Sequence, residues 1–189
     1  DEEMAKAAFS HRDPFIRMWA IRLIGDSNKT TGELANKLLQ LAKTESNVEV
    51  KSQLATTAKR LPAQIALPII KVLLSNKSDV TDPDIPMLLW WALESKFENN
   101  QKDIIELFED SSLWEKPIVQ GFILERLMQR LILEGNEKDL DDATLLFESI
   151  PSKKQAKFLW NGLQEGMIGK EMTDLPKELI AAIQPYVGM

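Results

Sequence analysis

The chain has 189 residues, 44% of them apolar and 28% charged, with a net charge of −6. That length can bury a sizeable core, and that composition excludes a disordered or low-complexity chain. Cysteine is absent and histidine occurs once, which excludes disulfides, thiolate catalysis, Fe–S ligation and covalent c-type haem attachment within these residues.

From the N-terminus, DEEMAKAAF is acidic and lacks both an apolar h-region and an initiator Met. It reads as the start of a segment excised from a longer protein. Helical periodicity then dominates, and no stretch alternates as a strand would. Helices are predicted at roughly 2–10, 13–25, 31–44, 47–61, 62–75, 84–98, 101–110, 117–134, 139–149, 152–166 and 174–187. Their starts carry local signals. Asp13-Pro14 and Asp82-Pro83 each set an N-cap acid before a Pro at the first helical position. Thr30-x-x-Glu33, Ser46-x-x-Glu49 and Ser152-x-x-Gln155 have capping-box spacing. Gly166-Met167-Ile168-Gly169 ends the last long helix.

A repeat organises these helices. Asp13-Pro14-Phe15-Ile16 is echoed by Asn47-Val48-Glu49-Val50 after 34 residues, by Asp82-Pro83-Asp84-Ile85 after 35 more, and by Lys116-Pro117-Ile118-Val119 after another 34. Each opens the second helix of a pair. A period in the mid-thirties with two helices per unit predicts an all-α fold, a right-handed α-solenoid of about five HEAT-like helix pairs. With no low-complexity linker, residues 1–189 read as one repeat domain. The run Met87–Leu93 has seven apolar residues in succession, as expected of a helix covered nearly all round in mid-stack. It is far short of the roughly 20 residues a membrane span requires. Trp19 and Trp90, each on a second helix, are expected in the core.

No catalytic or metal-binding signature emerges. His11 lies in a turn beside Ser10 and Asp13, and such neighbours rarely converge as a triad does. The acids Asp79, Asp82, Asp84 and Asp139, Asp141, Asp142 sit where helices begin and offset the dipole; neither group has EF-hand spacing. There is no phosphate-binding glycine loop. No cofactor, metal or catalytic residue is therefore expected in this segment. Charge is uneven: residues 1–75 carry a net +3, residues 76–150 a net −10 and residues 151–189 a net +1. The acidic middle third disfavours nucleic acid, which selects a basic stripe. Lys153, Lys154 and Lys157, and the pair Lys59-Arg60, form small basic patches expected to be solvated helix faces.

Superposing the repeats aligns Arg17, Lys51, Pro86 and Gln120 in one row and Arg22, Thr56, Trp91 and Glu125 in another. Both rows are mostly polar, whereas Ile16, Val50, Ile85 and Val119 are uniformly apolar. Equivalent positions in a solenoid share a direction, so the polar rows are expected to line one exposed ridge. Trp91 is its odd aromatic, flanked by Arg22 and Lys51, and aromatics beside Arg anchor interfaces. Arg17, Arg22, Lys51, Arg60 and Trp91 are the partner-binding candidates.

DPFIRMWAIRLIGD (13–26), VEVKSQLATTAKRLP (48–62) and DIPMLLWWALES (84–95) together resemble the HEAT-like segment of large exported bacterial proteins described as membrane-bound dehydrogenases or haem-binding proteins. In that family a β-propeller precedes the helical repeats and a c-type cytochrome domain follows them. The resemblance covers about residues 9–100 and implies a periplasmic or secreted redox parent. In it, this segment would act as a non-catalytic scaffold or docking module, with the propeller, the cytochrome or another protein as partner. It carries no site residues over, since this chain has neither propeller nor C-x-x-C-H. The alternative is an independent HEAT-like nucleic-acid-binding protein or DNA glycosylase, which requires a basic groove with a catalytic carboxylate.

Overall fold

The computed structural model describes residues 2–28 and 30–188. It is all-α: eleven α-helices and several short 3-10 and π turns, with no strand among the described residues. The chain divides into two compact units, 1–104 and 105–189.

The first unit contains α1 (Glu2–Phe9), α2 (Pro14–Ser27), α3 (Gly32–Thr44), α4 (Val48–Ala58), α5 (Ala63–Leu74) and α6 (Ile85–Glu94), followed by most of α7 (Phe97–Glu106). The helices pair as α1/α2, α3/α4 and α5/α6. First helices stack α1 on α3 on α5, and second helices stack α2 on α4 on α6, giving two layers. This is the stacking of an α-solenoid, with the seam of apolar side chains between the layers. Val50, Leu54, Ala55, Ile70, Leu74, Ile85, Leu89 and Ala92 are fully buried in this unit.

Helix starts follow the local chemistry. Asp13 caps α2 by accepting from the Phe15 N–H at 2.9 Å, with Pro14 at the first position. Thr31 rather than Thr30 caps α3, and Asn47 rather than Ser46 caps α4. One residue separates prediction from structure at each, because adjacent side chains compete for the same exposed N–H groups. Asp82 accepts from the N–H groups of both Asp84 and Ile85, tying the turn to α6.

Within the apolar run of α6, Leu89, Trp90, Ala92 and Leu93 are buried, but Trp91 is exposed and Met87 and Leu88 are partly so. Helix α6 is the last second helix of this unit, so the run is not covered nearly all round. Trp19 corrects the core expectation: it is 51% exposed. Its repeat equivalents, Gln53 and Leu88, are also partly exposed, so Trp19 occupies a flank position, whereas Trp90 aligns with the buried Ile21 and Ala55.

The second unit contains α8 (Leu124–Glu134), α9 (Glu137–Glu148), α10 (Lys153–Gly166) and α11 (Lys177–Ile183). The helix predicted at 117–134 opens as a π turn over Val119–Ile123 before continuing as α8. The segment predicted at 174–187 keeps only α11 as α-helix, between 3-10 turns at Met172–Asp174 and Gln184–Tyr186. Trp114 is wholly buried, its indole N–H donating to the Phe108 carbonyl at 2.7 Å. Helix α8 packs on α10, and α9 on both α8 and α11. The α8–α10 contact is unusually close because Gly162 and Gly166 lie on the same face of α10. A Cβ at Gly162 would sit 2.1 Å from the Glu125 carbonyl oxygen, and one at Gly166 2.6 Å from the Ile132 Cβ.

Two helix ends, those of α4 and α8, are met by a lysine from further along the chain. Lys96 donates to the carbonyls of Lys59 and Leu61, both at 2.7 Å, just beyond α4. In the second unit Lys170 donates to Ile132 and Leu133 at 2.5 and 3.1 Å, in the last turn of α8. Each lysine sets a cation where orphan carbonyls and the negative dipole end coincide. Burial, with Lys59 nearby as a like charge, pushes the Lys96 ammonium below its ordinary 10.5.

Candidate docking surface

The five partner-binding candidates all lie in the first unit, and packing divides them. Arg17 and Lys51 hold the same position of their helices, the fourth residue of α2 and of α4. Each pairs with a carboxylate 28 residues further on. Arg17 makes a fork–fork bridge to Glu45, Nε to Oε2 at 2.7 Å and Nη2 to Oε1 at 2.9 Å, while its Nη1 donates to the His11 carbonyl at 2.7 Å. Lys51 pairs with Asp79 in the 3-10 turn Ser78–Thr81. These two bridges form a repeated tie between the start of a second helix and the next turn of the chain.

The expected ridge is therefore corrected along its first row. Lys51 is only 3% exposed, and Pro86 is buried beside it in the row. Both lie where α4 and α6 begin under the inter-pair turn, so this row is interior. The Glu45 carboxyl shows how tightly it is held. Burial alone would push its pKa up, but the Arg17 guanidinium and the N–H groups of Asn47 and Ser46 more than offset that, leaving it below the ordinary 4.5.

The second row does reach the surface. Arg22 is exposed and its guanidinium stacks 5.1 Å from the centre of the Trp19 ring. Trp91 is 46% exposed. The cation set against it is Lys59, whose ammonium lies 5.8 Å from the ring centre. Lys59 follows the end of α4 and so belongs to none of the helical rows of the repeat. Trp91 lines a concavity of about 450 Å³ with Leu88 and Ser95 of the α6 region and Thr56, Lys59 and Arg60 of the α4 end. Arg60 also bridges to Asp26, so its guanidinium is held at the rim. The concavity is thus built from an apolar floor, one half-exposed indole, two cations and two hydroxyls.

Elsewhere, Lys153, Lys154 and Lys157 line a shallow surface on α10 with Trp160, Asn161 and Gln164. His11 is exposed, and its Nδ1 accepts from the Asp13 N–H at 3.0 Å. Among the described residues, no three carboxylate or imidazole side chains gather as metal ligands do. No helix among them is long and apolar enough to cross a membrane. No family model, curated protein or solved structure matches the chain.

Proposed function

We propose that this chain is a HEAT-like repeat scaffold, non-catalytic in itself, that docks a protein partner at the Trp91 concavity. The observation that carries this reading is the half-exposed indole beneath the Lys59 ammonium, set between stacked second helices. An aromatic that keeps nearly half its surface in water offers a large apolar area at small entropic cost, and adjacent cations give orientation. Lys59 and Arg60 favour a partner segment carrying carboxylates beside an apolar side chain. The resemblance of residues 9–100 to the repeats of exported redox proteins supports a neighbouring domain of such a protein as that partner.

The test is a photo-reactive benzoylphenylalanine at position 91 in the protein as its own cell makes it. The expected result is an adduct with a second protein or another domain, lost when Lys59→Glu and Arg60→Glu are added. Labelling no stronger than at exposed Glu98 would overturn the reading.

A further inference from the structure

The outer face of the first helix pair is a second, separate surface, and its composition is that of a core. Met4, Ala5 and Ala8 of α1 and Ile16, Trp19, Ala20, Leu23 and Ile24 of α2 line a concavity of about 450 Å³ that is almost wholly apolar. Met4 is 68% exposed, Leu23 63% and Ile16 40%. A solenoid end that faces water is normally a capping repeat with a polar outer surface. This one is not.

The internal repeat identifies what such a face does. Adding 34 to each number gives the same position in the next pair: Met4 becomes Leu38, Ala8 Ala42, Ile16 Val50, Ala20 Leu54 and Leu23 Thr57. All five equivalents are buried. Adding 35 more on the second helix gives Ile85, Leu89 and Ala92, also buried. In α3/α4 these positions lie against the preceding pair. The Thr57 hydroxyl donates to the Ile21 carbonyl at 3.3 Å, and a Cβ at Gly25 would lie 3.0 Å from the Thr57 side chain. Leu23 therefore stands where Thr57 stands, with no α2 in front of it.

We propose that the α1/α2 face is an inter-pair seam, and that its occupant is a further helix pair of the same repeat lying ahead of α1 in the same polypeptide. The second helix of that pair would cross α2 as α2 crosses α4, setting a small residue against Leu23. Both seams within the first unit argue for delivery in the same chain. In each, only four residues, 28–31 and 59–62, separate one pair from the next in sequence, and such a tether keeps the local concentration high and the register fixed. A second copy stacking through the α10 surface fits less well, because that surface would bring Lys153, Lys154 and Lys157 against Trp19 and Leu23.

The test places benzoylphenylalanine at position 23, and separately at position 4, in the polypeptide as its own cell produces it, with mass spectrometry of the adducts. Neither side chain is enclosed by the first unit itself, so its own packing survives the exchange, and the two sites report on the seam separately. Intrachain adducts from both sites to residues ahead of α1 are expected. Adducts to a second copy, adducts to a different protein, or labelling no stronger than at exposed Glu98 would each overturn the proposal. Loss of labelling at position 91 alone would leave it standing, because the two surfaces are distinct.

Discussion

Gly162→Ala is the most searching perturbation of the second unit. The added Cβ would meet the Glu125 carbonyl oxygen at 2.1 Å, the Glu125 carbonyl carbon at 2.9 Å and the Met128 Cβ at 2.9 Å. An ordinary Cβ contact begins near 3.4 Å, so α8 and α10 would have to separate by about an ångström. The nearest atoms are backbone and cannot rotate away. Overpacking typically costs about 1–3 kcal/mol, and a backbone collision belongs at the top of that range. Alanine returns about 1 kcal/mol through helix propensity. The expected net loss is about 2 kcal/mol, which at a urea m-value of about 2 kcal/mol/M lowers the midpoint by about 1 M. Equilibrium urea unfolding followed by far-ultraviolet circular dichroism reads this directly. Gly32→Ala is the control, since nothing lies within 4 Å of a Cβ there, and its midpoint should stay or rise slightly. A Gly162→Ala midpoint equal to or above that of the parent would refute the close α8–α10 approach.

Two further outcomes concern the charged ties of the first unit. Asp79→Ala leaves the Lys51 ammonium buried without its carboxylate, at an expected cost of about 3–5 kcal/mol, and adding Lys51→Met should recover most of it in a double-mutant cycle. Glu45 has a lowered folded-state pKa, so its contribution is present above its ordinary 4.5 and is lost as pH falls through the lower folded value. Glu45→Gln should therefore cost about 1.5–3 kcal/mol near neutrality, the worth of hydrogen bonds to a charged group. The parent–variant difference should shrink in acid, as urea midpoints measured against pH would show.

The helices were legible because their signals are local. Asp13 caps α2 through the Phe15 N–H two positions on, and the apolar rows repeat at a constant spacing. Asp82, expected to cap, instead holds the turn before α6, whose N-cap position is Asp84. The fate of Lys51 was not legible. Its row looks polar and exposed, but the carboxylate that draws it inside lies 28 residues on, in a short 3-10 turn. Trp19 shares its residue type with Trp90 but not its row, which contains the polar Gln53 and is not the fully buried row. Lys59 was missed beside Trp91 because chain after a helix end follows no helical row. The glycines at 162 and 166 did carry a signal, small residues four apart on one helix face. Their role depends on Glu125, Met128 and Ile132 of α8, which no local pattern identifies.

The lysine that closes α4 has a consequence for synthesis. The carbonyls of Lys59 and Leu61 wait for an ammonium 37 and 35 residues downstream. At about 5–20 residues per second, that lysine is added roughly 2–7 s after the carbonyls it will cover. During that interval on the ribosome, water must solvate the end of α4, and the helix frays there. Docking of α6 and arrival of Lys96 then finish the earlier helix and place the new one in a single event. The nascent chain thus acquires the closing contact of α4 one repeat late, and a stalled chain ending before residue 96 would present α4 with an open end to whatever chaperone waits at the tunnel exit.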